Sequence, residues 1–204
     1  MRSRSTFRWQ PLIACTALAV AVAGCEKQGA DVASEMTASA GATSPAAEGA
    51  CRLLTSSEVD AVFAGAKKGE VDNSRQQYGI SACIWSTERG TFVAQFWTST
   101  GGTTAKDEAR GLMLGALDPL KGQAARNNVR YEAVQGVGEQ AVAVLETQDD
   151  QRGVLNDFAM LVAQRGDHIL VLIAPELARS ERGKALTQLQ ALGQSAANRL
   201  QPAR

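Results

Sequence analysis

The apolar positions of this chain change their spacing several times between Leu54 and Leu200, and each change predicts a new element. Thr55 and Glu58 have capping-box spacing, and Leu54 and Val59 have hydrophobic-staple spacing. Val59, Val62 and Phe63 then follow at helical offsets, so a short helix is expected, with Gly65 as its stop. Ala82, Ile84 and Trp85 form the next group, followed by the turn Thr87-Glu88-Arg89-Gly90. Beyond the turn Phe92, Ala94 and Phe96 alternate with Val93, Gln95 and Trp97, which reads as a β-hairpin. From Thr104 to Leu117 the period returns to 3.6 through Ala109, Leu112, Met113, Ala116 and Leu117, until Pro119 interrupts it.

Three further strands are expected around Ala141 to Leu145, Asp157 to Ala163 and His168 to Ile173. Gln164-Arg165-Gly166-Asp167 supplies hairpin-turn chemistry between the last two. Ile169 to Ile173 is apolar on both faces and therefore belongs in the centre of a covered sheet. A closing helix, from about Ser180 to Leu200, carries Leu186, Leu189, Leu192, Ala196 and Leu200 on one broad face. This order predicts an α+β fold: a mainly antiparallel sheet of about five to six strands with two to three packed helices.

Ahead of the periodic part the chain has a different character. Arg2, Arg4 and Arg8 precede a nearly wholly apolar run from Leu12 to Ala23, the charge-then-apolar pattern of an export signal and too short to span a bilayer comfortably. The run ends in Val22-Ala23-Gly24-Cys25, which resembles the lipobox of bacterial lipoproteins. That resemblance implies cleavage after Gly24 and a diacylglyceryl group on Cys25; the bland alternative is an ordinary secretory signal in which Cys25 is incidental. Two or more acyl chains hold a protein to a membrane stably, whereas one does so only marginally. Glu26, where inner-membrane lipoproteins tend to carry Asp, leans by the same resemblance towards the outer membrane, facing the periplasm.

From Glu26 to Ala50 the residues are chiefly Ala, Ser, Thr, Gly and Glu, with no period and almost no large apolar side chain, so this stretch is expected to be a tether. A flexible linker of that length spans roughly 25–30 Å. The expected organisation is thus a signal peptide over 1–24, a lipidated cysteine and tether over 25–50, and one globular domain over 51–204.

Composition adds little to the function. The 204 residues and the 45% hydrophobic fraction suit one ordinary domain plus a tail. Without Arg2, Arg4 and Arg8 the mature chain has 18 basic and 21 acidic residues, and from Cys51 onward the two signs balance at 17 each. No nucleic-acid stripe and no polybasic membrane patch is visible in the sequence. Of the four cysteines, Cys15 leaves with the signal and Cys25 carries lipid, which leaves Cys51 and Cys83 in a compartment where disulfides form. A disulfide is expected; two free thiols or a metal pair are the alternatives, the latter poor because partner histidines are lacking.

Cys51 with Leu53-Leu54-Thr55, Cys83 with Trp85, and Gly136-Val137-Gly138-Glu139-Gln140-Ala141 together resemble the pattern of a family of small cell-envelope lipoproteins of unknown function. The resemblance implies a disulfide between the two cysteines and a fold similar to those of the photosystem protein PsbP and the Ran-binding protein Mog. It implies no particular activity.

The candidate chemistry is thin. Gly136-Val137-Gly138-Glu139-Gln140-Ala141 matches a dinucleotide fingerprint as a string, but strand-like residues follow it where a helix is needed, so a turn is expected. His168, the sole histidine, sits beside Asp167 at a strand start, and no Gly-x-Ser-x-Gly elbow accompanies it. Thr103-Thr104-Ala105-Lys106 reads as a helix start, and Glu146, Asp149 and Asp150 as a solvated loop rather than a glycosidase pair. Trp97, flanked by Gln95, Thr98 and Ser99, is the candidate for a partly exposed binding surface.

The expected function is that of a membrane-anchored, non-enzymatic binding or interaction module, with an envelope protein among its candidate partners. No cofactor, metal or nucleic acid is expected. The alternatives are a carrier of a small apolar ligand and, less favoured, a hydrolase.

Overall fold

Residues 49–99, 101–117, 128–147 and 157–200 are described by the computed structural model, all of them within one compact unit. They build a seven-stranded antiparallel sheet with helices against both of its faces. In chain order the elements are a 3₁₀ turn over Gly49–Leu53, α1 (Ser56–Asp60), β1 (Glu70–Asp72), a 3₁₀ turn over Gln76–Tyr78, β2 (Ser81–Ser86), β3 (Thr91–Thr98) and α2 (Ala105–Ala116). After them come β4 (Glu132–Ala133), β5 (Gln140–Glu146), β6 (Phe158–Arg165), β7 (His168–Ile173), a 3₁₀ turn over Pro175–Arg179 and α3 (Arg182–Arg199). The order across the sheet is β1-β2-β3-β7-β6-β5-β4.

The apolar run expected in the centre is there: β7 is the middle strand, and Ile169, Leu170, Val171 and Leu172 are all buried. Alternation sends Leu170 and Leu172 into one core and Ile169 and Val171 into the other. The sheet has seven strands rather than five to six, because β1 and β4 at its edges are only three and two residues long. Segments so short carry no readable period, and short edges also limit unwanted pairing.

The first core joins Trp85, Phe92, Leu161 and Leu172 to Leu53, Leu54, Val59 and Phe63 at the start of the domain, and to Ala185, Leu189, Leu192 and Ala196 of α3. Small residues let α3 approach closely: a Cβ on Gly193 would stand 3.0 Å from Leu161 and from Val137. The second core seats Ala105, Ala109 and Met113 of α2 on Val144, Met160, Val162, Ile169 and Val171.

The expected starts and turns are also present. Thr55 caps α1 in a full capping box, with Glu58 N–H donating to Thr55 Oγ1 at 3.3 Å and Thr55 N–H donating to Glu58 Oε2 at 2.8 Å. Leu54 and Val59 are both buried, as a hydrophobic staple requires. Thr104 caps α2 through a bond from the Asp107 N–H.

Candidate functional site

The domain opens against the edge of the sheet. Gly49 takes φ +45°, and a Cβ there would lie 2.6 Å from Ser81 Oγ, so only glycine lets the chain pass this close to β2. The Ala50 N–H donates to the same hydroxyl at 2.9 Å. One residue later Cys51 is bonded to Cys83 of β2, with Cα atoms 4.9 Å apart. Gly69 lies over this bond: a Cβ there would come within 2.7 Å of Cys83 Sγ and of the Trp85 ring.

Beside the disulfide is a cleft of about 380 Å³. Arg52 and Gly49 form one wall, the 3₁₀ turn around Gln76 the other, and Val71, Ser81 and Phe96 face into it from the sheet. The second wall is folded locally. Asp72 Oδ1 accepts the Ser74 N–H at 2.8 Å, and this bond holds the carboxyl below its usual range. Gly79, at φ +73°, ends the turn in the left-handed region. Tyr78, in the same 3₁₀ turn but outside the cleft lining, is 72% exposed, and Val71 is 40% exposed. These are two of the three exposed large apolar side chains among the described residues, the third being Leu114 on α2.

The residues singled out in the sequence fall in different places. Cys25 lies outside the described residues. Trp97 is half-buried on the opposite face of the sheet, paired in register with Ile169 and packed against the second core. Its neighbour Phe96 is the one that lines the cleft.

His168 begins β7 with its side chain 13% exposed, its Nδ1 3.1 Å from Asp167 Oδ1 and its ring 6.1 Å from Phe96. The Gly-x-Gly string is a turn ahead of β5. Gly136 and Gly138 have φ of +76° and +59°, and a Cβ on Gly138 would meet the Gln164 carbonyl oxygen at 2.3 Å. Gly138 serves close backbone packing, and Gly136 a left-handed turn beside the Gln194 side chain.

Glu146 is not in a solvated loop, as its neighbours suggested. It is the last residue of β5, fully buried, and accepts the Arg130 N–H at 3.1 Å. Alternation explains this: Val142, Val144 and Glu146 point to the same face, so one more strand residue carries the carboxylate inside. Asp149 and Asp150 lie outside the described residues.

A second cleft, of about 580 Å³, opens at the far end of β3 between Arg89, Thr91, Asp157, Glu176 and Arg179. Its charges are largely taken up locally, since Arg179 pairs with Asp157 and the Thr87 hydroxyl donates to Glu176. Among the described residues no three His, Cys, Asp or Glu side chains are grouped to hold a metal ion, and no helix is long and apolar enough to cross a membrane. The first cleft escaped the sequence reading. The nearest signal was Tyr78, a lone aromatic after the polar run Asn73-Ser74-Arg75-Gln76-Gln77 and next to the lining residues Gln76 and Gly79.

Comparison with family models, with curated proteins and with solved structures finds no match to this chain.

Proposed function

We propose that the protein is a lipid-anchored lipoprotein of the bacterial envelope, held through Cys25, whose domain is a non-enzymatic binding module. The observation that carries this reading is the Cys51–Cys83 disulfide at the start of the domain. Persistent disulfides belong to oxidising compartments, and here one follows a basic-then-apolar leader ending in Val22-Ala23-Gly24-Cys25. The outer membrane, facing the periplasm, is the favoured location. A relation to the PsbP and Mog folds remains part of this reading, supported by the antiparallel sheet with its packed helices.

Binding is favoured over catalysis because the acid–base candidates His168 and Glu146 are set apart: His168 pairs in register with Arg165 at one end of β6, and Glu146 pairs with Phe158 at the other, where it accepts a backbone N–H. The cleft beside the disulfide offers instead Phe96 and Arg52, an aromatic and an arginine of the types enriched at recognition surfaces, beside Val71.

Intact mass spectrometry of the membrane fraction tests the anchor: the mature chain should begin at Cys25 with lipid attached, and a Cys25→Ser variant that still carried lipid would sink the assignment. A photoreactive side chain at position 78, placed in cells, tests the binding surface. It should give envelope adducts that the same probe at exposed Lys184 does not, and equal labelling from both positions would count against it.

A further inference from the structure

The cleft beside the disulfide has an apolar floor and a rim of hydrogen-bond donors. Val71 pairs with Cys83, and Ser81 with Phe96, so Val71, Ser81 and Phe96 share one face of the sheet, and all three line the cleft. The Ser81 oxygen accepts the Ala50 N–H at 2.9 Å, which leaves the hydroxyl hydrogen to donate. Asn73 and Gln76 belong to the facing wall, and Arg52 to the wall across from it. Among the described residues the Arg52 guanidinium has no hydrogen-bond or ion-pair partner.

The other charges near the cleft are turned away or taken up. Asp72 is the one carboxylate among the described lining residues, yet it follows Val71 in β1, so alternation sends its side chain to the opposite face. Its Oδ1 is held by the Ser74 N–H. Asp60 and Glu88 belong to the other end of β2, where Asp60 accepts the Ala66 N–H and Glu88 lies against Gly65. His168 stands behind Phe96 and beside Asp167, and Arg75 precedes the 3₁₀ turn, both outside the lining. A ligand entering the cleft therefore meets Arg52 as its charged group. At about 380 Å³ the space lies near the small end of ligand sites, which run from roughly 300 to 1,000 Å³.

We infer that this cleft binds a small carboxylic acid with an apolar body. The carboxylate sits in the fork of the Arg52 guanidinium, which matches it with two parallel N–H···O bonds, and the Ser81 hydroxyl is a further donor. The body of the acid lies on Phe96 and Val71. An inorganic anion would use the guanidinium and leave that floor idle. The inference rests on the reading of this cleft as a binding surface and names its ligand class.

The full mature chain carrying Cys25→Ser, followed through its backbone amides by NMR, is titrated with phenylacetate, with neutral phenylacetamide and with inorganic phosphate. Phenylacetate should shift the Arg52, Gly79 and Ser81 amides saturably, and phenylacetamide should bind at least about tenfold more weakly. Arg52→Gln should weaken phenylacetate by a similar factor without moving the urea midpoint, since the side chain is exposed and unpaired among the described residues. Arg75→Gln, which removes a cation just beyond the lining, should change binding less than about twofold. Val71→Thr should weaken phenylacetate and leave phosphate unaffected. Equal binding of the acid and its amide, equal losses from the two arginine substitutions, or no saturable shift would overturn the inference. So would tighter binding of a hexapeptide ending in phenylalanine, which would assign the cleft to a protein's carboxyl terminus. Envelope adducts at position 78 with no response to these acids would leave the binding surface standing and remove this ligand class.

Discussion

Arg199, in the last turn of α3, donates to both carboxylate oxygens of Glu58, at 2.7 and 2.9 Å. Its Nη1 also reaches the Leu53 carbonyl at 2.9 Å. One guanidinium thereby fastens the end of the closing helix to the capping box of α1 and to the 3₁₀ turn that holds Cys51. The disulfide fastens that same turn to β2. The opening of the domain is thus tied down from two sides.

Stability in acid should report this pair. The Arg199 bond, opposed by partial burial, pulls the Glu58 carboxyl from 4.5 to about 2. A depressed carboxyl contributes stability in full above its unfolded value, and loses it as pH falls from 4.5 towards 2. Side-chain exposures of 28% and 39% call for a discount, so about 1 kcal/mol is expected. Glu58→Gln keeps a capping residue but removes the charge. Urea unfolding should place the variant below the parent by that amount at neutral pH, with the gap closing near pH 2; a gap constant across that range would refute the assignment.

Loss of the disulfide should cost more. Cys51 and Cys83 are 32 residues apart, and on the chain-entropy model their bond contributes about 3–4 kcal/mol. Cys83 is fully buried, so reductant should act only as the domain opens. Neither Cys51 nor Cys83 should be alkylated before reduction, and the double Cys→Ser variant should unfold at a clearly lower urea concentration. An unchanged midpoint would mean that the Arg199 contacts already hold the opening of the domain.

Much of this arrangement was legible in the sequence, for identifiable reasons. Thr55 and Glu58 announce α1 through a local exchange of bonds, and Ile169 to Leu172 announce a central strand because both their faces need cover. What escaped depends on distant partners. Glu70-Val71-Asp72 becomes a strand only through pairing with β2, and Glu132-Ala133 only through β5. Glu146 looked solvated because a carboxylate beside two aspartates suggests a loop, and only the length of β5 carries it inside. The cleft at Val71, Gln76 and Arg52 joins three segments through the fold, and no local pattern encodes that.

Leu161 and Leu114 should respond very unequally to truncation. Leu161 is fully buried where α3 meets β6, and Leu114 is 49% exposed on α2. Leu161→Ala should cost about 2–5 kcal/mol, since the transfer free energy of the removed atoms is lost and a cavity is left behind. Leu114→Ala should stay within about 0.5 kcal/mol. Comparable losses, measured by thermal or urea unfolding, would mean that Leu114 is covered in solution.

Two glycines separate backbone need from mere tolerance. Gly138 holds φ +59° with its missing Cβ directed at the Gln164 carbonyl, 2.3 Å away, so Gly138→Ala should both strain the backbone and push β6 from the turn. The expected loss is about 1–3 kcal/mol. Gly115 lies in α2 with nothing within 4 Å of the position a Cβ would take. There alanine restricts only the unfolded chain and favours the helix, so Gly115→Ala should add about 0.5–1 kcal/mol. Opposite shifts in the unfolding midpoint are expected. Should Gly138→Ala prove neutral, the Gly-x-Gly turn would not pack on β6 as described, and a ligand role for its backbone would regain its standing.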